Sequence, residues 1–173
     1  MRCLSALVLA LTIGSTAYTI AAYGEEALSA AAVPTVPGQP QVEQYPIFFD
    51  DHLIRGLNTR EDAYFQISKG QQVMPGSYVD LYFGHSAALL PKTSTLTLLM
   101  DDIPIGSVRL DETNINETRW QFDISKLGLT PGYHKLTVSA HMQITDEACV
   151  SPDNEANWMI VYKKSSIQLN LAK

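Results

Sequence analysis

Cysteine is nearly absent from this chain: Cys3 and Cys149 are the two among 173 residues. No disulfide framework is available, so a folded domain must be held by its apolar core. Positive charge is also scarce, with 12 Lys and Arg against 18 Asp and Glu, a formal net charge of -6, and no basic cluster. Such a chain repels phosphate backbones and anionic lipid, which excludes nucleic acid as the expected partner and argues against electrostatic docking on a membrane. A neutral polymer such as a polysaccharide is indifferent to that charge. Four histidines, His52, His85, His134 and His141, lack the spacing and the partner cysteines of a metal centre. His134 and His141 are seven apart on one candidate strand, which places them on opposite faces. No Gly-x-Ser-x-Gly elbow surrounds Ser86, and no glycine-rich loop is present to cradle phosphate. Nothing singles out an acid and a base among Asp80, Asp101, Asp102, Asp111 and Glu112, as glycoside cleavage requires. Asp101, Asp102, Asp111 and Glu112 would offer hard oxygen ligands to Ca²⁺ if they met at one end of a domain, but solvated loop acids are the simpler reading. The expectation is a protein that is not an enzyme and uses no metal or cofactor.

What is present begins with an address. Met1-Arg2 is a short positive start, Leu4 to Ile13 is apolar, and Ser15-Thr16-Ala17 offers the small-x-small pattern of a signal peptidase site, with Ala22 a second one. Gly14, Ser15, Thr16 and Thr19 interrupt the run too early for a membrane span. We expect a signal peptide over residues 1–22, a flexible linker over 23–44 carrying Pro34, Pro37, Gly38 and Pro40, and a domain over 45–173. Export to the periplasm or the outer face of the cytoplasmic membrane follows. Loss of Arg2 with the leader leaves a net charge of -7 (-6 minus +1). Cys149 then stands alone, as a buried thiol or half of an intermolecular bridge.

The rest of the chain alternates with a period of two. Val79, Leu81 and Phe83 share one face, Tyr78, Asp80 and Tyr82 the other. The same holds for Leu96, Leu98 and Met100, for Trp120, Phe122 and Ile124, for Leu136, Val138 and Ala140, and for Ile167, Leu169 and Leu171. Ala63–Ile67 and Trp158–Tyr162 are shorter candidates. Turn signals separate these segments at Pro75-Gly76, Pro91-Lys92, Asp101-Asp102 and Pro131-Gly132. Many short, one-sided strands predict an all-β fold, an antiparallel two-sheet sandwich of jelly-roll type. A small helix is expected at His52–Asn58 or Ser125–Gly128.

Binding a glycan would use aromatic faces against sugar rings, with Asp, Asn or Gln taking the hydroxyls. Tyr78 and Tyr82 lie opposite the apolar set and form the first candidate platform. His85 and Trp158 join them as candidates, Trp158 with a core role as its alternative. Tyr133 and Tyr162 are further aromatics, while Trp120 shares its face with Phe122 and Ile124 and reads as core.

Four stretches carry a resemblance. They are the strand and loop from Ser77 to Thr97, the hairpin Leu99–Val108, the turn Leu129–Leu136, and Cys149 followed by Trp158, Ile160 and Ser166-Ile167. In this order they resemble the periplasmic B subunit of bacterial cellulose synthase, over roughly residues 47–171. The resemblance departs at Asp101-Asp102, where the family usually has Asn-Gly, and at Asn157, which replaces a leucine. It implies a carbohydrate-binding-type jelly roll outside the membrane, with a β-glucan polysaccharide, the catalytic subunit and sister domains as partners. Only the first jelly roll is matched, so the family's anchoring and synthase-activating roles are not carried over. Direct cyclic-di-GMP binding is not expected, since no Arg-rich phosphate-binding motif is present. The alternative is a purely structural sandwich that packs against protein partners and touches no sugar.

Overall fold

A period-two strand buries one row of side chains and wets the other, so chains of this pattern gain most by laying two apolar faces together. The computed structural model, which describes residues 40–146 and 154–173, has that arrangement. The expected signal peptide, the linker as far as residue 39, and Cys149 lie outside the described residues. Eleven strands are present among the described residues: β1 (Gln41–Pro46), β2 (His52–Arg55), β3 (Asn58–Ile67), β4 (Gln72–Val73), β5 (Tyr78–His85), β6 (Thr95–Met100), β7 (Ile103–Arg109), β8 (Thr118–Asp123), β9 (Gly132–His141), β10 (Trp158–Val161) and β11 (Ser166–Ala172). All pair antiparallel. The smaller sheet runs β3-β9-β6-β7, and the larger holds the other seven strands. The fold is an all-β two-sheet sandwich.

The larger sheet has four lines rather than seven. β8 pairs along β5 from Tyr78 to Phe83. β11 and β10 share the opposite edge of β5, through Ser166↔Asp80 and Val161↔Phe83. They are one line broken by the bulge at residues 162–165. β1 and β2 likewise form one line beside them, broken at residues 47–51. The two breaks are stitched together: Ile47 N–H donates to Ser165 C=O at 3.0 Å, and Lys163 N–H donates to Asp51 Oδ1 at 2.9 Å. Bulges of this kind bend a strand and re-aim its side chains.

Between the sheets lies one core. Val79, Leu81, Phe83, Leu96, Leu98, Leu136, Val138, Val161, Ile167 and Leu169 are wholly excluded from water. Trp120 and Phe122, edge to face with centroids 6.3 Å apart, are half-buried against it. A Cβ at Gly106 of β7 would lie 2.8 Å from the Phe122 ring and 3.2 Å from Trp120. The glycine lets an edge strand of one sheet lean on the aromatic pair of the other.

Neither expected helix forms. Residues 52–58 become β2 and the start of β3, because Ile54 is buried and pairs with Met159 across to β10. Residues 125–128 form a turn in which Ser125 donates from N–H and Oγ to Asp123 Oδ1. The first strand starts at Gln41, ahead of the boundary expected at Tyr45. Asp101 and Asp102 do make the two-residue hairpin turn, both with positive φ (49° and 67°), as the twist of a tight hairpin demands. The four acids weighed as Ca²⁺ ligands do not meet: β7 separates Asp101-Asp102 from Asp111-Glu112 by roughly 20 Å at strand rise. Among the described residues no group of three potential ligands is close enough to hold a metal.

The β6–β7 turn is bolted to β9 by charge. Asp101 Oδ2 lies 2.7 Å from His134 Nδ1, and Asp101 Oδ1 accepts the Lys135 N–H at 2.9 Å. Burial by itself would raise the Asp101 carboxyl, but these hydrogen bonds and the two neighbouring positive charges hold it below its ordinary value. A depressed folded-state value contributes stability above the unfolded carboxylate range near ~4, and that contribution is lost as pH falls through the lower folded value. The melting temperature should therefore drop on acidification below about pH 4. Asp101→Asn, which tolerates positive φ, should be less stable at neutral pH and lose less on acidification. Thermal melts of both proteins from pH 7 to pH 2.5 check this; parallel curves would show that Asp101 plays no part.

Candidate functional site

Alternation along β5 turns Tyr78, Asp80, Tyr82 and Gly84 to the outer face of the larger sheet. Each of the first three is already engaged. Asp80 takes two hydrogen bonds from Arg119 of β8, at 2.6 and 2.9 Å, which raise the guanidinium above its ordinary value. Tyr78 Oη donates to Gln168 at 2.8 Å. The Tyr82 ring carries the Lys164 ammonium 4.2 Å from its centroid and Arg119 5.8 Å away. Lys164 in turn pairs with Glu117. The tyrosine platform expected from the sequence is thus half-buried and capped by cations, with Tyr78 and Tyr82 about 13 Å apart along the strand.

The open aromatic site lies at the other end of β5. A groove of about 310 Å³ is lined by Trp158, Ile160 and Tyr162, by Gly84, and by the chain from Ile115 to Glu117. Trp158, Ile160 and Tyr162 are alternate residues of one line, so all three emerge on the outer face. Ile160 pairs with Gly84 across the sheet. Gly84 is a glycine for a reason of space: a Cβ there would lie 3.1 Å from Ile115 C=O and 3.3 Å from Tyr162 Oη. With hydrogen in place of a side chain, the loop and the tyrosine close over the strand. The Tyr162 N–H donates to Tyr82 C=O at 2.9 Å, which ties the groove to the capped end of the face.

His85 acts from behind. It follows the inward phase of β5 and is 2 % exposed. Its Nε2 lies 2.7 Å from Asn114 Oδ1, and its Nδ1 lies 3.0 Å from Ser86 C=O. Asn114 is oriented by its own bonds, donating to Arg109 C=O at 2.8 Å and accepting the Asp111 N–H at 3.1 Å. The His85 N–H donates to Ile115 C=O at 3.0 Å. The histidine therefore fixes the loop that walls the groove, with its ring turned to the interior.

Of the four residues predicted, the structure brings Trp158 and His85 to the lining of the groove, His85 almost wholly buried there. Tyr82 is its neighbour through Lys164, and Tyr78 stands apart. Tyr162 joins Trp158 as a second ring. Asn116, Glu117 and Lys164 were not legible as site residues, because their place depends on where the 111–117 loop lands. Gly84, a glycine inside an apolar strand, was the one local signal of a close approach.

A family model described as "Cellulose synthase BcsB, first CBM domain" matches residues 41–173, CBM being a carbohydrate-binding module. An uncharacterized protein of Bacillus subtilis, YdaN, is 24% identical over 131 residues, which are 76% of this chain and 18% of that protein. The chain thus spans under a fifth of the length of this curated relative. A solved structure, dimeric latent PorU from Porphyromonas gingivalis, aligns with 78% of this chain and 13% of its own at 9% identity and a TM-score of 0.35.

Proposed function

Because this chain belongs to the family of the first carbohydrate-binding-module domain of the cellulose synthase subunit BcsB, we propose that it is an exported accessory module of a β-glucan synthase and that the Trp158–Tyr162 groove holds a stretch of the polymer. The family is that of an accessory subunit, and the role here is adhesive and steric, with no bond made or broken. The carrying observation is two aromatic rings from alternate positions of one strand line, with an amide and a carboxylate, Asn116 and Glu117, on the facing wall. Pyranose rings offer apolar faces to such rings and equatorial hydroxyls to such acceptors and donors. The partners would be the nascent glucan, the catalytic subunit and sister domains, all outside the cytoplasmic membrane. Direct binding of cyclic-di-GMP forms no part of this reading: the Arg119 guanidinium beside Tyr82 is committed to Asp80.

Retention of the purified chain on insoluble cellulose tests the proposal, with a titration of tryptophan fluorescence by soluble cello-oligosaccharides alongside. The fluorescence should change in a saturable way, since Trp158 is one of only two tryptophans. Passage through cellulose without retention, together with unchanged fluorescence, would move the reading to a sandwich that contacts protein alone. One observation favours that second reading: Tyr78, Asp80 and Tyr82 are satisfied by partners within the domain.

A further inference from the structure

β3 is the outer strand of the smaller sheet, and its free edge can be read from the hydrogen bonds of its neighbour. Lys135 of β9 turns both backbone groups toward the β6–β7 hairpin: its N–H donates to Asp101 Oδ1, and its C=O accepts the Asp101 N–H at 2.9 Å. Nothing is left for its cross-strand partner Tyr64, so Tyr64↔Lys135 is a non-hydrogen-bonded pair. Tyr64, and Asp62 and Gln66 in the same phase, therefore direct N–H and C=O away from β9. Gln66 bears this out, since its C=O lies 2.8 Å from Tyr45 Oη outside the sheet, a hydroxyl that also sits 2.7 Å from Glu43 Oε2 and shares its one proton between the two oxygens. Burial and Glu43 push the pKa of that phenol up to about 12, so it keeps its proton. At Asp62 and Tyr64 no such cap exists, and their outward backbone groups have no protein partner among the described residues.

Beside this open edge lies a groove of about 610 Å³, lined by Pro46, Ile47, Phe48, Phe49, Asp62 and Tyr64. Phe49 stands 89% exposed and Tyr64 66%. Two carboxylates line it, Asp50 and Asp62, the latter accepting a hydrogen bond from Thr137 Oγ1 at 2.6 Å; His52 lines it as well, 3.5 Å from Glu61. Unpaired strand backbone, an apolar slot and negative charge are three features of one ligand chemistry. Exposed edges of this length are ordinarily blunted or covered.

We propose that the β3 edge is a docking site for an extended segment of a partner protein, one with an apolar side chain flanked by lysine or arginine. The segment adds as a strand against Asp62 and Tyr64, seats its apolar side chain on Phe48 and Phe49, and meets Asp50 and Asp62 with its charges. This site is on a different sheet from the aromatic groove and does not depend on glucan binding.

The test uses the full chain and a fluorescein-labelled eight-residue peptide of alternating valine and lysine. Binding is read by anisotropy and by amide hydrogen exchange. Asp62 and Tyr64 amides should gain protection on peptide addition. Phe49→Ser, an exposed change that leaves the core intact, should weaken binding about tenfold or more, as should replacing the peptide's lysines with glutamate. Absence of binding, or binding that leaves the Asp62 and Tyr64 amides unprotected, overturns the proposal. Displacement of the peptide by cello-oligosaccharide also overturns it, by giving the groove to glycan. Self-association abolished by Phe49→Ser overturns the choice of partner, by giving the edge to a second copy.

Discussion

Phe83→Ala is expected to cost about 3–5 kcal/mol of folding stability, the loss typical of a fully buried phenylalanine. Phe83 has no exposed surface and sits on the central line of the larger sheet, between Thr118 of β8 and Val161 of β10. It belongs to the core cluster to which both sheets contribute, and close-packed walls do not collapse to fill the void. A domain of this size has about 5–15 kcal/mol in total, so the variant should melt on the order of 10 °C lower or more. The neighbouring Tyr82→Ala removes a half-exposed ring on the opposite face and should cost far less. Thermal or urea melts of the two variants decide the matter. Comparable losses would mean that the face now described as outer is covered in the working protein, as by a partner domain.

Trp158→Ala should reduce retention on cellulose about tenfold or more, ~1.4 kcal/mol or greater, while leaving the melting temperature within a few degrees. Trp158 is half-exposed and opens onto the groove with Tyr162, so its loss removes a stacking surface without opening the core. Tyr78→Phe deletes only the hydrogen bond to Gln168 and should bind as the parent does. Affinity measured by fluorescence or calorimetry against cello-oligosaccharides, with melts as a folding control, separates these. If Trp158→Ala binds normally and Tyr78→Ala does not, the working surface is the capped end of β5 and the groove has another use.

The strands were legible because each carries its own burial instruction. Val79, Leu81 and Phe83 alternate with Tyr78, Asp80 and Tyr82, and that pattern admits no helix. The Asp101-Asp102 turn was legible for the same local reason, since two short polar residues tolerate the positive φ that a tight hairpin needs. The helix expected at His52–Asn58 was misread because four residues of β2 are too few to show a period, and pairing with Met159 and Ile160 decides their conformation. Tyr78 and Tyr82 were legible as outward, but not as occupied. Lys164 lies 82 residues from Tyr82 (164 minus 82) and reaches its ring only because the 162–165 bulge throws the lysine across the strand line.

By itself the sequence determined the class of this protein: a sandwich of alternating strands, with one face of each to be buried, and four ordered stretches that resemble one family. Those properties are local, and a period of two survives whatever the neighbours are. Only the tertiary structure decided which exposed aromatics form a surface. It set Tyr162 over Gly84 with Trp158 in the same groove, buried His85 to hold the loop wall, capped Tyr82, and left the β3 edge open beside Phe49. Each of these depends on register, bulges and loop landing points, which are fixed by contacts between residues distant in the chain.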